Sequence, residues 1–306
     1  MAAPTEAWFF AHLIDLCTGI SGPGDLRRLH REYASRYPFL LQSTTRGSDL
    51  GRFDILFASP GVSLHLDAHG LLHGPHADSS NNFLAALDTW WASEQVPTSR
   101  EELPFLGGWF VYLGYELAAQ IEPGLTLRRD TILPTAFAVR CQSALVFDHA
   151  SSQCFLVCED DTCADAEQLR GDIESIRDAG NRDTVQLAGV TEEPPQIFLD
   201  AVLAAKQHIS AGDIYQANLS RQWTVSLDEN ASASDIYASL CRSNPGPFAG
   251  IAQWQDIEVM SSSPERLLKL RDGTASTRPI AGTRPRSDDD RTDHSLSAEL
   301  LAHPKE

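Results

Sequence analysis

The sequence predicts an α+β protein of antiparallel sheets with flanking helices, and three neighbouring segments carry that expectation. Phe198, Ala201, Val202, Ala205 and Ile209 recur at i, i+3, i+4 spacing, so 198–211 reads as a helix, and Gly212 stands where a C-cap belongs. From Tyr215 the odd positions run Tyr215, Ala217, Leu219, Arg221, Trp223, Val225 and Leu227. The even positions are Gln216, Asn218, Ser220, Gln222, Thr224 and Ser226. That period of two predicts a strand with one face on a core and the other on water or a polar cavity. Asp272-Gly273 between two short runs is a strong hairpin signal.

The hairpin has chemical consequences. A two-residue turn pairs Leu270 with Ala275 and Leu268 with Thr277, and the same register places Glu265 opposite Ile280. Facing positions lie about 5 Å apart at Cβ, so Glu265 is expected beside Ala281-Gly282-Thr283, where glycine lets backbone amides come close to an anion. A carboxylic acid then neighbours a carboxylate cradle. An ordinary hairpin with a solvated glutamate fits the same residues.

Composition narrows the function classes. The 306 residues, 42% of them hydrophobic, suffice for two ordinary domains or one large α/β domain. A formal charge of -18 repels phosphate backbones and anionic lipid, which disfavours nucleic-acid and membrane-surface partners. An anionic substrate would need local positive charge, and Arg278, Arg284 and Arg286 stand around the Gly-Thr turn, where a solubilising surface cluster is the other reading. The six cysteines, at 17, 141, 154, 158, 163 and 241, show no paired zinc spacing; Cys154, Cys158 and Cys163 read as strand and loop thiols of a reduced protein. No Lys or Arg precedes Arg27, Glu6 and Asp15 interrupt the N-terminal apolar residues, and no run of 18 apolar residues occurs, so a soluble cytoplasmic chain is expected. The polar stretch 170–196, ending in Thr191 to Pro195, reads as an exposed connection. It divides the chain into an N-terminal region, residues 1–190, and a site-bearing region, residues 191–306.

Five segments in order resemble the chorismate-utilising enzymes, the family of component I of aminodeoxychorismate synthase and of anthranilate synthase. They are LPFLGGWFVYLGYELA (103–118), GDIYQANLSR (212–221), NPGPFAG (244–250), SSSPERLL (261–268) and TRPIAGTRPR (277–286). The resemblance implies a large sandwich of antiparallel sheets. Its opening strand pair would be Tyr37 to Ser43 and Gly51 to Leu56, and Gly107-Gly108 with Gly114 to Glu116 would mark an internal strand beneath the site. Because Leu-Leu-Gln-Ser replaces the usual Leu-Leu-Glu-Ser, Ser43 reads as a structural strand residue and tryptophan regulation is not expected.

By the same resemblance Glu265 is the general acid, its pKa raised by burial, and Gln216 orients ammonia, since an amide cannot act as the lysine base of water-adding relatives. Gly282 and Thr283, with Ala281, would hold the substrate. The implied activity is amination of chorismate to 4-amino-4-deoxychorismate, toward para-aminobenzoate and folate, with ammonia from a glutaminase subunit and Mg²⁺ as cofactor. Ala281 stands where aminodeoxychorismate synthases often carry lysine, so anthranilate formation and a non-catalytic, metabolite-binding remnant of the fold stay open. No metal ligand is expected within the chain. The family's magnesium glutamates are expected beyond Glu306, which makes the sequence read as truncated at its C-terminus and inactive as it stands; Asp288 to Asp290 read as an acidic helix start.

Overall fold

The computed structural model describes residues 14–15, 19–45, 51–79, 81–94, 103–128, 130, 132–159, 166–178, 185, 187–228, 231–280 and 282–303. In chain order the strands are β1 (Ile14–Asp15), β2 (Phe39–Gln42), β3 (Phe53–Ala58), β4 (Ser63–Leu66), β5 (Leu72–His73), β6 (Gly108–Leu113), β7 (Ala136–Cys141), β8 (Ser143–Asp148), β9 (Gln153–Cys158), β10 (Leu187–Glu192), β11 (Trp223–Leu227), β12 (Phe248–Trp254), β13 (Ile257–Ser263), β14 (Arg266–Arg271) and β15 (Thr274–Arg278). The helices are α1 (Pro23–Glu32), α2 (Phe83–Ser93), α3 (Ala118–Ile121), α4 (Ala166–Ser175), α5 (Pro195–Ala211), α6 (Ala233–Ser243) and α7 (Asp290–Leu301). All strand pairings are antiparallel.

One compact unit takes the described residues up to 178 together with those from 240 on; 187–239 belong to the other. The first unit is a sandwich. Its larger sheet has the order β1-β9-β8-β3-β2-β12-β13 and its smaller sheet the order β5-β4-β7-β6. An aromatic layer joins the two: Phe39 and Phe57 of the larger sheet meet Phe110 and Phe137 of the smaller. The Phe39 and Phe110 rings stack at 4.1 Å, and Phe137 stacks on Trp254 at 4.3 Å. Phe83, Ala86 and Trp90 of α2 pack with Leu64, Leu66, Ala136 and Ala138 of the smaller sheet. Leu26 and Leu29 of α1 and Leu169 and Ile173 of α4 are buried as well.

This placement explains why all six residues of β7 and of β8 are buried, a pattern without alternation that includes the polar Arg140, Ser143 and Asp148. Burial pushes the Cys141 thiol up to about 12, so this cysteine packs as an inert small hydrophobe. The expectation of thiols fails at Cys158, which is disulfide-bonded.

The strand pair expected from 37–43 and 51–56 is present as β2 and β3, with Phe39 opposite Phe57 and Leu41 opposite Ile55. The expected helix at 198–211 forms as α5, three residues longer at its start because Pro195 suits a first helical turn, and Gly212 caps it in the left-handed conformation. The strand expected from Tyr215 is shorter. Only β11 is strand, and 214–222 takes irregular backbone, so Gln216 lies outside it. β11 pairs with β10, a strand within the stretch expected to be a connection. Alternating side chains mark one face of an extended chain, but they do not supply the neighbouring strand that would pair it along its whole length.

Candidate active site

β2, β12 and β13 lie side by side in the larger sheet, with Ala249 opposite both Gln42 and Ser262. Two residues past the ladder of β2 and β12, Thr44 closes on Gly246. The Thr44 Oγ1 accepts from the Gly246 amide at 2.8 Å and donates to the Gly246 carbonyl at 3.0 Å, and the Thr44 amide donates to the same carbonyl at 3.0 Å. The Ser262 hydroxyl of β13 donates to the Asn244 carbonyl. Three segments far apart in sequence thus meet at the end of the sheet where β13 runs into Pro264 and Glu265.

Glu265 sits in the two-residue link between β13 and β14. Its amide donates to Ser263 Oγ at 3.2 Å and its carbonyl accepts from that hydroxyl at 3.0 Å. The clasp fixes the backbone and leaves the side chain exposed. The burial expected for Glu265 is therefore not supplied by the described residues.

The hairpin turns at Asp272 and Gly273, with φ of 51° and 72°, the paired left-handed residues of a tight two-residue turn. Leu270 faces Ala275 as expected. Below that the register slips by one, so Arg266 faces Arg278 and the strand ends before Glu265. The expected pairing of Glu265 with Ile280 is overturned, because an irregularity between Arg266 and Lys269 absorbs one residue; Leu268 and Thr277 fall within that irregularity.

Beyond the hairpin, Gly282 is half-buried and Thr283 exposed, while Ala281 lies outside the described residues. The expected cationic cluster is largely neutralised by α7. Arg286 makes a bidentate pair with Asp293, both bonds at 2.8 Å, and Arg284 Nε donates to Glu299 at 2.9 Å. Asp289 caps α7 by accepting from the Thr292 amide at 2.9 Å, which bears out the acidic helix start.

A family model described as chorismate binding enzyme matches residues 39–306. The chain belongs to the chorismate-binding enzyme family. Anthranilate synthase component 1 of Thermus thermophilus is 31% identical over 281 residues, covering 88% of this chain and 59% of the relative. Aminodeoxychorismate synthase component 1 of Bacillus subtilis is 27% identical over 300 residues, covering 92% and 62%. The crystal structure of anthranilate synthase component I from Streptococcus pneumoniae matches with a TM-score of 0.66 at 25% identity, covering 85% of this chain and 59% of that one. The chain thus spans about three fifths of the length of these relatives. Both branches of the chorismate-binding enzymes stand among its relatives, and the large antiparallel sandwich expected for the family is the fold observed.

Gln216 of this chorismate-binding enzyme chain is exposed and donates to Asn218 Oδ1 at 2.6 Å, an arrangement confined to its own segment. The meeting of Thr44 with Gly246 and of Ser262 with Asn244 has no local signature in the sequence. Thr44 and Gly246 are 202 residues apart, and no local spacing connects them. A cavity of about 250 Å³ opens among Leu66, Asn81, Glu116, Gln120, Leu127 and Thr135. Among the described residues its lining holds a carboxylate and no basic side chain, a poor match to a dicarboxylate such as chorismate. Among the described residues no three His, Cys, Asp or Glu side chains gather to hold a metal ion, and no helix is long and apolar enough to cross a membrane.

Proposed function

We propose that this chain carries the proton-donating portion of a chorismate-amination site and that the product is 4-amino-4-deoxychorismate. The observation behind this reading is Glu265, whose backbone is clasped at the end of a sheet strand while its carboxyl reaches solvent. A ring seated over that carboxyl would remove it from water and favour its protonated form, the state a general acid needs. Ammonia then forms the new C–N bond as the C–O bond to the ring hydroxyl breaks. Glu265 gives its proton to the departing oxygen, which leaves as water, and the surplus proton on nitrogen restores the acid. Gly282 and Thr283, with Ala281, are the proposed grip on substrate, and Gln216 orients the ammonia.

The choice of product rests on GDIYQANLSR and NPGPFAG, which resemble the aminodeoxychorismate branch. Anthranilate is the second reading and Ala281 favours it, because no lysine amine stands there to form a ring adduct. Ammonia is proposed to come from a separate glutaminase subunit, and the enzyme to act in the cytoplasm. Magnesium, which the resemblance implies, does not find a ligand set among the described residues, and no step above is routed through it.

Chromatography of a reaction of the enzyme carrying this sequence with chorismate, ammonium and magnesium, without added lyase, tests the assignment. Aminodeoxychorismate as the main product is expected. Anthranilate with pyruvate would replace the first reading by the second, and unconsumed chorismate would favour a binding remnant over either.

A further inference from the structure

We propose that Thr44 is a positioning residue for Glu265, an inference that rests on the proton-donor role proposed above. Thr44 holds both backbone groups of Gly246 with one hydroxyl, which accepts from the amide and donates to the carbonyl. Gly246 is buried, and its α-carbon lies against the strand that leads to Glu265: a Cβ built there would stand 2.8 Å from the Ser263 carbonyl oxygen and 3.0 Å from Ser262 Oγ. Ser263 in turn clasps Glu265 through its own hydroxyl. Thr44, Gly246, Ser263 and Glu265 therefore form a continuous chain of contacts in which no side chain can be inserted at the glycine.

The sheet does not need this contact to set its register. β2 and β12 are already paired from Phe39 with Ala252 to Gln42 with Ala249, and β12 and β13 over seven residues. Thr44 acts past the end of that ladder, on the side where Glu265 emerges. What it adds is the position of the link that carries the acid. Misplacement of a reacting group by about 1 Å costs on the order of 100-fold in rate, so a partial shift of the link is expected to cost about tenfold.

Thr44→Val removes the hydroxyl and keeps the shape. In the enzyme carrying this sequence, the expected result is a kcat about tenfold lower with KM little changed, while Thr44→Ser, which keeps the hydroxyl, stays within about twofold of wild type. Combined with Glu265→Gln, Thr44→Val should add nothing, because a residue acting through the acid has no effect once the acid is gone. Wild-type kcat in Thr44→Val, or multiplied losses in the double variant, would overturn the inference. A lower melting temperature with unchanged kcat per folded enzyme would overturn it too, since that is what a merely structural role gives. Should the valine variant fail to fold, Thr44→Ala admits water in place of the hydroxyl and is decided by the same outcomes. An inactive Glu265→Gln beside a normal Thr44→Val removes only the positioning role; a fully active Glu265→Gln removes the proton donor as well.

Discussion

Arg140 shows how a single charge is carried inside an apolar strand. Its guanidinium makes two bonds of 2.6 Å to Glu159, one of 2.7 Å to Glu94 and one of 2.9 Å to the Gly108 carbonyl, and it lies 4.5 Å from the centre of the Trp109 ring. The Arg140 and Glu159 side chains are each 8% exposed, so Arg140→Met would strand a buried carboxylate. Removing one partner of such a pair costs about 3–5 kcal/mol, and a midpoint shift of that size in urea unfolding is expected, whereas a loss below about 1 kcal/mol would refute it. The lone arginine in AFAVRC was visible in the sequence, but its acids lie 46 residues before it and 19 after it, and nothing in the spacing names them. His30 makes a second case. Burial lowers its pKa from 6.5, while its Nδ1 donates to the Tyr37 carbonyl at 2.7 Å. The unfolded chain therefore binds more protons than the folded one below pH 6.5. The stability that neutral His30 contributes is complete above 6.5 and is lost as pH falls through the lower folded value. Urea midpoints measured from pH 8 to 5 should decline below 6.5, and His30→Gln should flatten that decline; an identical slope in the variant would count against burial as its cause.

Among the elements, those with a local signature were legible and those with a distant partner were not. α5 and the β14–β15 turn follow from side-chain period and from Asp-Gly chemistry, both of which act within a few residues. The surroundings of Glu265 were not legible, because the one-residue slip between Arg266 and Lys269 is set along the strands and not at the turn. β7 and β8 gave no alternation to read, since both faces of each are covered. The turn also offers a test. Asp272 and Gly273 both hold positive φ, and a β-branched residue at the second position is strained by about 1–2 kcal/mol. Gly273→Val is expected to speed amide exchange in β14 and β15 by about tenfold or more while leaving β8 unchanged. Equal exchange in wild type and variant would show that the turn does not hold the pair.

At the scale of the whole molecule, the two compact units differ in what they bury. The first has the aromatic layer between its sheets and the fully buried strands β7 and β8. The second has a helix and two strands without a single buried residue: α5, β10 and β11 are exposed or half-buried throughout, with Leu203 and Val190 each 58% exposed. Burying a Leu or Val side chain contributes about 1.5–3 kcal/mol, so residues left in water contribute little to offset the entropy of ordering their backbone. A paired two-stranded ribbon is marginal alone for the same reason. Local unfolding of 187–211 and 223–227 is thus expected at lower denaturant than unfolding of 136–158, and the chain as a whole should not unfold in one step. Pulsed amide exchange read by mass spectrometry along a guanidinium titration separates the two transitions. A single coincident midpoint for both sets of peptides would show that the exposed apolar residues of α5, β10 and β11 are covered in solution and that the second unit shares the cooperativity of the first.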